Sequence, residues 1–486
     1  MKNWYLRMLV VPLILLGVTR VAFAETQNVK VSGSIDAYSF YRSNFDLVKN
    51  NDASVVPVGA TVPAQSHGNG GDSVASSAIQ RSDADSFFFT ITQMEVSADL
   101  TDKVSTVINL INQRDWNAET VDNTSSTAAN TAISSANEFD IELDLAYVQM
   151  KEIFYSPLTL TIGRQDLLFG RGFVVGWNPQ NPQGLIQPVE FTQVQSFDAI
   201  RATLDFNPWT LDFVYSKILA GAPNPQDDKD LYIANVNYKF AEYNAVAEAY
   251  YVGEFDRNAL RSTTAGTKDN ETDTIGGRVQ FDPISQITLG GELAYQFGDY
   301  RATVSAPNRD RQAWAADIFG TYRWDNTWKP EATLEYVHFS GESDLGAGAT
   351  GSYGAWNSLY RGRFWTAYGD FREFVYATGD AVDQPATTNQ DLIQVKGALK
   401  PLEDLLLEAS FTYFWTPETV HSTPGVQSSS TRNKDIGWEI DLQATYDYTE
   451  DVSFGLLAGW FVPGNFYQSP DDATAVDLVS SVKVSF

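Results

Sequence analysis

The sequence has no cysteine and only three histidines in 486 residues. The first absence excludes a disulfide scaffold, a thiolate zinc site and a cysteine nucleophile. The second leaves little imidazole for metal ligation or proton transfer. Positive charge is also scarce. Lys and Arg number 33 against 61 Asp and Glu, a formal net charge of −28. Such an excess repels a phosphate backbone, so no nucleic-acid partner is expected. After residue 24 no apolar run approaches the roughly 20 residues that a spanning helix needs. What the chain does have is aromatic side chains: 29 Phe, 23 Tyr and 12 Trp. Disordered acidic chains are poor in aromatics, so this chain is ordered. Length alone suggests about three soluble domains, although an all-β barrel can be larger as one domain.

Residues 1–24 read as a secretory signal peptide. Lys2 and Arg7 form a positive start, Met8 to Val18 an apolar core, and Ala22-Phe23-Ala24 a small-residue cleavage site. Cleavage would remove Lys2, Arg7 and Arg20 and no acid, leaving 30 bases against 61 acids, or −31. Residues 25–486 are then read as one exported domain.

That domain is written in strands. Trp438, Ile440, Leu442, Ala444 and Tyr446 alternate with Glu439, Asp441, Gln443 and Thr445. Ile287, Leu289, Gly291, Leu293, Tyr295 and Phe297 do the same against Thr288, Gly290, Glu292 and Gln296. Period two over about ten residues predicts strands with one apolar face. A soluble sandwich shares that pattern, so the connections decide. Eighteen such segments are separated alternately by short turns and long loops. Turns are expected at Thr101-Asp102, Asn207, Asp282-Pro283, Asp325-Asn326, Pro401 and Thr449-Glu450. Long loops are expected at 43–85, 114–137, 166–195, 341–388 and 417–433. Short turns on one side and long loops on the other predict an all-β transmembrane barrel of about 18 antiparallel strands. Such a barrel would sit in the outer membrane of a Gram-negative-type cell, among lipid and lipopolysaccharide. Trp314, Trp324, Trp415, Trp438 and Trp460 fall on the outward face near strand ends, as interfacial rings do. The last strand ends on Phe486. An aromatic C-terminus resembles the signal by which barrel-assembly machinery recognises its clients.

Parity assigns the interior. Inward bases are Lys30, Arg42, Arg201, Lys239, Arg278, Arg323, Lys396 and Lys483. Inward acids are Glu95, Glu142, Asp144, Asp205, Asp212, Glu248, Glu292, Asp317, Glu335, Glu408, Glu439 and Asp441. Acids and bases facing each other would set a transverse field across an aqueous channel. The same charges would equally pair across strands and stiffen the wall. The loop stretch 356–374 holds Tyr360, Arg361, Arg363, Trp365, Tyr368 and Asp370. It is too aromatic for a freely solvated loop, and long loops with packed residues tend to be functional. It is expected either to fold into the channel mouth and narrow it or to pack against lipid or another loop.

Several short motifs resemble the alginate-export family of outer-membrane barrels. They are Gly163-Arg164-Gln165 leading to Leu167 and Gly170; Phe197-Asp198-Ala199-Ile200-Arg201; Tyr368-Gly369-Asp370; the strand Asp435 to Leu442; and Trp460-Phe461-Val462-Pro463-Gly464. The resemblance implies a monomeric eighteen-stranded barrel that passes solutes, with an anionic polysaccharide such as alginate as cargo. It implies Arg164 and Arg201 as basic residues of the pore. The inward list departs from that picture, with twelve acids to eight bases. The expectation is therefore a passive channel for hydrophilic solutes, with no cofactor, no metal and no catalysis. A small-solute porin, or a structural or adhesive barrel, stands as the alternative. His67, His338 and His421 are the only imidazoles, and no triad-like motif accompanies them. The acid pairs Asp227-Asp228 and Asp471-Asp472 read either as solvated loop or as oxygen ligands for divalent cations.

Overall fold

The structure is a computed structural model. It describes residues 28–44, 47, 84–116, 141–154, 156–176, 196–219, 228–257, 270–301, 306–344, 349–372, 388–419, 433–467 and 472–486. The signal-peptide reading and most of loops 43–85 and 114–137 fall outside those residues, as do His67, His421, Asp227 and Asp471.

Nineteen strands follow in chain order. The first nine are β1 (Asn28–Ser43), β2 (Ala84–Thr101), β3 (Val104–Asp115), β4 (Glu142–Lys151), β5 (Leu158–Gln165), β6 (Phe197–Asp205), β7 (Trp209–Leu219), β8 (Lys229–Lys239) and β9 (Val246–Asp256). Then come β10 (Asn270–Ile284), β11 (Ile287–Tyr300), β12 (Arg309–Arg323), β13 (Glu331–Phe339) and the two-residue β14 (Ser352–Tyr353). The last five are β15 (Gln390–Leu402), β16 (Leu405–Trp415), β17 (Asp435–Asp447), β18 (Val452–Pro463) and β19 (Ala475–Ser485). All but β14 pair antiparallel with their chain neighbours, and β1 pairs with both β2 and β19. The sheet is thus a closed barrel of 18 strands. β13 pairs directly with β15, while β14 lies parallel to β12 inside a loop.

The alternation is the cause of this closure. On β11, Leu289, Leu293, Tyr295 and Phe297 are exposed, whereas Thr288, Glu292 and Gln296 between them are buried. A belt of exposed apolar rings on this scale does not suit a water-facing surface. It suits lipid, where each backbone N–H and C=O must find a partner and only closure supplies one. The short turns gather at one end of the barrel. There the C-terminal Phe486 exchanges backbone hydrogen bonds with Gly33 at 2.9 and 3.0 Å. Exposed Trp209, Phe240, Tyr243, Trp324, Trp328 and Tyr448 ring that end, as an interfacial girdle does.

Two turns differ from expectation. Pro283 lies inside β10 and Pro401 inside β15, and the chain reverses only at 285–286 and 403–404. In both strands the register shifts at the proline, between Phe281 and Ile284 and between Leu399 and Leu402. A bulge leaves the position without a ladder partner, so the missing proline N–H costs nothing there.

Candidate functional site in the barrel interior

The inward face of the strands is polar, and two loop segments lie against it. The first is 166–176, which leaves the top of β5. Leu167, Phe169, Phe173, Val174 and Val175 are buried there. Gly170 donates its backbone N–H to Glu248 at 3.0 Å, and Arg171 donates its own to Glu292 at 2.9 Å. The Arg171 guanidinium reaches Asp317 on β12 at 2.5 Å and Glu335 on β13 at 3.0 Å. It also lies over the Phe319 ring, 3.9 Å from the centroid. Gly170 adopts φ +62°, and a Cβ there would stand 2.4 Å from a Glu292 oxygen. Only glycine lets the backbone come this close to the carboxylate. Burial and the neighbouring Arg363 lower the Arg171 pKa, and Asp317, Glu335 and Glu292 oppose that shift.

The second segment, 349–372, is the stretch whose aromatics marked it out. It folds into the barrel and pairs with the first. Val175 bridges Tyr360 in parallel. Gly176 donates to the Tyr360 carbonyl at 2.9 Å, Tyr360 to Val174 at 3.0 Å and Gly362 to Gly172 at 2.9 Å. The Tyr360 hydroxyl donates to Glu254 on β9 at 2.5 Å. Further along, a π-helical turn (Ala367–Arg372) points backbone N–H groups at β17. Tyr368 and Gly369 each donate to Glu439 at 2.7 Å. The Tyr368 ring stacks on Phe461 of β18, 4.9 Å between centroids. Gln394 of β15 donates to the Trp365 carbonyl at 2.7 Å.

Within this segment Arg361 and Asp370 form a fully buried ion pair at 2.8 Å, and Trp365 donates its N–H to the same carboxylate at 3.0 Å. Burial pushes the Asp370 carboxyl above its ordinary value, and Arg361 opposes that only in part. Burial lowers Arg361 in turn. These two residues hold the loop together and do not face a passing solute. Arg363 is less enclosed and shares Glu335 with Arg171, at 3.3 Å.

The inward residues expected from parity are placed as follows. Arg201 pairs with Asp212 at 2.8 Å, Arg278 with Glu248 at 2.9 Å and Lys396 with Glu408 at 2.8 Å. Arg323 meets Glu331 at 3.4 Å near the short-turn end, and Lys239 is exposed at that same end. Glu292 and Asp317 face each other in the β11–β12 register. Asp441 sits beside Glu439 under the π-helical turn, accepting from the Ala367 N–H at 3.4 Å.

Arg164 is a correction. It continues the row Leu158, Leu160 and Ile162, and Ile162 is an exposed outward residue. Its guanidinium lies 3.4 Å from Asp198, which is 66% exposed. The motif resemblance put Arg164 in the pore, but the strand pleat turns it to the outer face at the loop end of β5. The stretch 163–172 stands out in the sequence without a role for Phe169 or Arg171, and Glu254 and Gln394 are not marked by it at all. Only Arg171 carried a signal, since its flanking Gly170 and Gly172 permit close backbone approach.

His338 has a carboxylate beside it that the sequence did not reveal. Its Nδ1 lies 2.7 Å from Asp391, and Trp314 stacks on the ring at 3.9 Å. This group shares the outward parity of Leu334, so it does not address the interior. Asp228 is paired with Lys217 at 2.8 Å. Among the described residues no three His, Cys, Asp or Glu side chains gather as metal ligands would.

Residues 78–480 match the model of a family described as alginate export. Among solved structures, Acinetobacter baumannii OccAB2 superposes with a TM-score of 0.55 at 10% identity, covering 95% of this chain and 98% of that one. Pseudomonas aeruginosa OccK1 (OpdK) gives 0.53 at 12% identity, covering 95% and 100%. At such identity the likeness is one of fold. No curated protein matches by sequence.

Proposed function

The chain belongs to the alginate-export family, and on that premise we propose that it is a passive outer-membrane channel narrowed by its two inward segments. The observation that carries this reading is their joint anchoring. Segment 166–176 is tied to β9, β11, β12 and β13, segment 349–372 to β9, β15 and β17, and the two are bridged at Val175 and Tyr360. Loops held by charge-assisted hydrogen bonds set a fixed aperture. Solutes cross by diffusion along the polar face, and no chemical step is needed. Export through residues 1–24, assembly through Phe486 and a monomeric state belong to the same proposal.

A second reading, export of an anionic polysaccharide, is favoured by the family match. Planar-bilayer recording separates the elements. Deletion of 352–376 should raise single-channel conductance, and an unchanged current would remove the constriction. Reversal potentials in a salt gradient give the sign of selectivity, strong anion preference favouring the polyanion.

A further inference from the structure

We infer that the interior passes neutral, hydroxyl-rich solutes, such as short oligosaccharides, in preference to polyanions. The inference rests on the channel reading and adds the substrate class. It starts from the inward cations of the mid-barrel. Arg171, Arg201, Arg278, Arg363 and Lys396 each lie within 2.5–3.3 Å of a carboxylate. A cation paired at that distance presents a dipole to a passing solute, and its field falls off faster than that of a bare charge. An anionic solute would have to displace a carboxylate that is tethered in place.

The carboxylates are in surplus. Glu292, Glu439 and Asp441 are held by backbone N–H and hydroxyl donors. Among the described residues no cation pairs with them, so they add no cationic site that an anionic solute could use.

The wall away from the two loops is built of amides and hydroxyls. Asn109, Gln149, Thr161, Thr203, Asn235 and Asn237 share the inward face of β3 to β8. The Oδ1 atoms of Asn109, Asn235 and Asn237 are buried without a protein hydrogen-bond partner. The Asn109 amide is oriented by its Nδ2, which donates to Asp144 at 2.8 Å, and its acceptor is the atom left over. Gln149, Thr203 and Asn237 are only half-buried, so their amides and hydroxyl offer donors and acceptors to a solute in the lumen. A sugar hydroxyl can both donate to and accept from such groups, whereas an ionised carboxylate is acceptor-only. Such a lining serves a neutral sugar, while a uronate meets cations that already hold carboxylates.

The test uses full-length protein reconstituted in liposomes, with maltotriose and trigalacturonate as probes of equal ring number. Maltotriose should enter roughly tenfold faster, a difference of about 1.4 kcal/mol. Equal or faster entry of trigalacturonate would overturn the inference and leave the channel reading standing. Absence of both ion current and solute entry would remove the channel reading itself. Asp212→Asn, which leaves Arg201 without its carboxylate, should raise trigalacturonate entry several-fold; no rise would show that pairing is not the filter.

Discussion

Replacing Arg171 with methionine should loosen the interior without touching the barrel. Methionine keeps much of the aliphatic stem and removes the guanidinium. Lost with it are the contacts to Asp317 at 2.5 Å and Glu335 at 3.0 Å and the cation over Phe319. Asp317 is fully buried and would lose its ion-pair partner, while Glu335 would keep only Arg363 at 3.3 Å. Breaking a buried pair in this way costs roughly 3–5 kcal/mol. At about 1.4 kcal/mol per decade, that is roughly two to three and a half decades in an opening equilibrium. If segment 166–176 opens at a cost of about 5 kcal/mol, its open fraction rises from about 10⁻⁴ to roughly 0.03–0.5. Single-channel recording reads this directly. The variant should show a larger mean current and frequent transitions between levels, while heat-modifiable mobility of the folded barrel stays as in the parent. Arg171→Lys should fall between, because an ammonium keeps the charge and loses the fork that engages two carboxylates. Adding Asp317→Asn to the methionine variant should quiet the trace in part. A current indistinguishable from the parent in Arg171→Met would refute the claim that this guanidinium fixes the loop.

Other outcomes follow from the same geometry. Gly170→Val adds side-chain atoms where a Cβ alone would lie 2.4 Å from Glu292, at φ +62°. It should detach the loop and raise conductance as Arg171→Met does, with normal barrel assembly on heated and unheated gels. Arg201→Glu and Arg278→Glu should shift the reversal potential toward cations, and Arg164→Glu should not, because Arg164 lies on the outer face. A shift in Arg164→Glu matching the other two would contradict that placement. The Asp370 carboxyl is raised by burial, so its ionised form is the costly one in the packed loop. Its contribution to loop packing is present at low pH and declines as pH rises from the ordinary carboxylate value through the raised one. Amide exchange of 365–370, corrected for intrinsic rates, should show stronger protection on the acid side of that window. Weaker protection there would mean that attraction to Arg361 outweighs burial.

Much of the barrel was legible in the order of residues. A strand side chain has a period of two, so Leu289, Leu293 and Tyr295 against Glu292 and Gln296 declare their faces before any folding. The sorting of short and long connections declared closure and strand number, because a barrel has two ends and its turns alternate between them. The prolines at 283 and 401 looked like turns since a proline cannot join a ladder, and the bulges that absorb them are visible only in the register. For Arg164 the pleat was already written in Leu158, Leu160 and Ile162, and a motif overrode it.

What folding decided is the content of the lumen. The aromatic stretch around Trp365 announced packing but not against what, since either lipid or lumen would accept it. The carboxylates of the wall were readable as inward, yet their partners were not. Glu439 serves two backbone N–H groups, and Asp317 and Glu335 serve an arginine more than 140 residues earlier in the chain. Periodicity is local and fixes which face a side chain takes. Pairing between a loop and a distant wall depends on how the closed barrel brings them together in space. The scarcity of positive charge therefore gains its meaning only in three dimensions, where the few inward arginines of the mid-barrel already have carboxylates to hold.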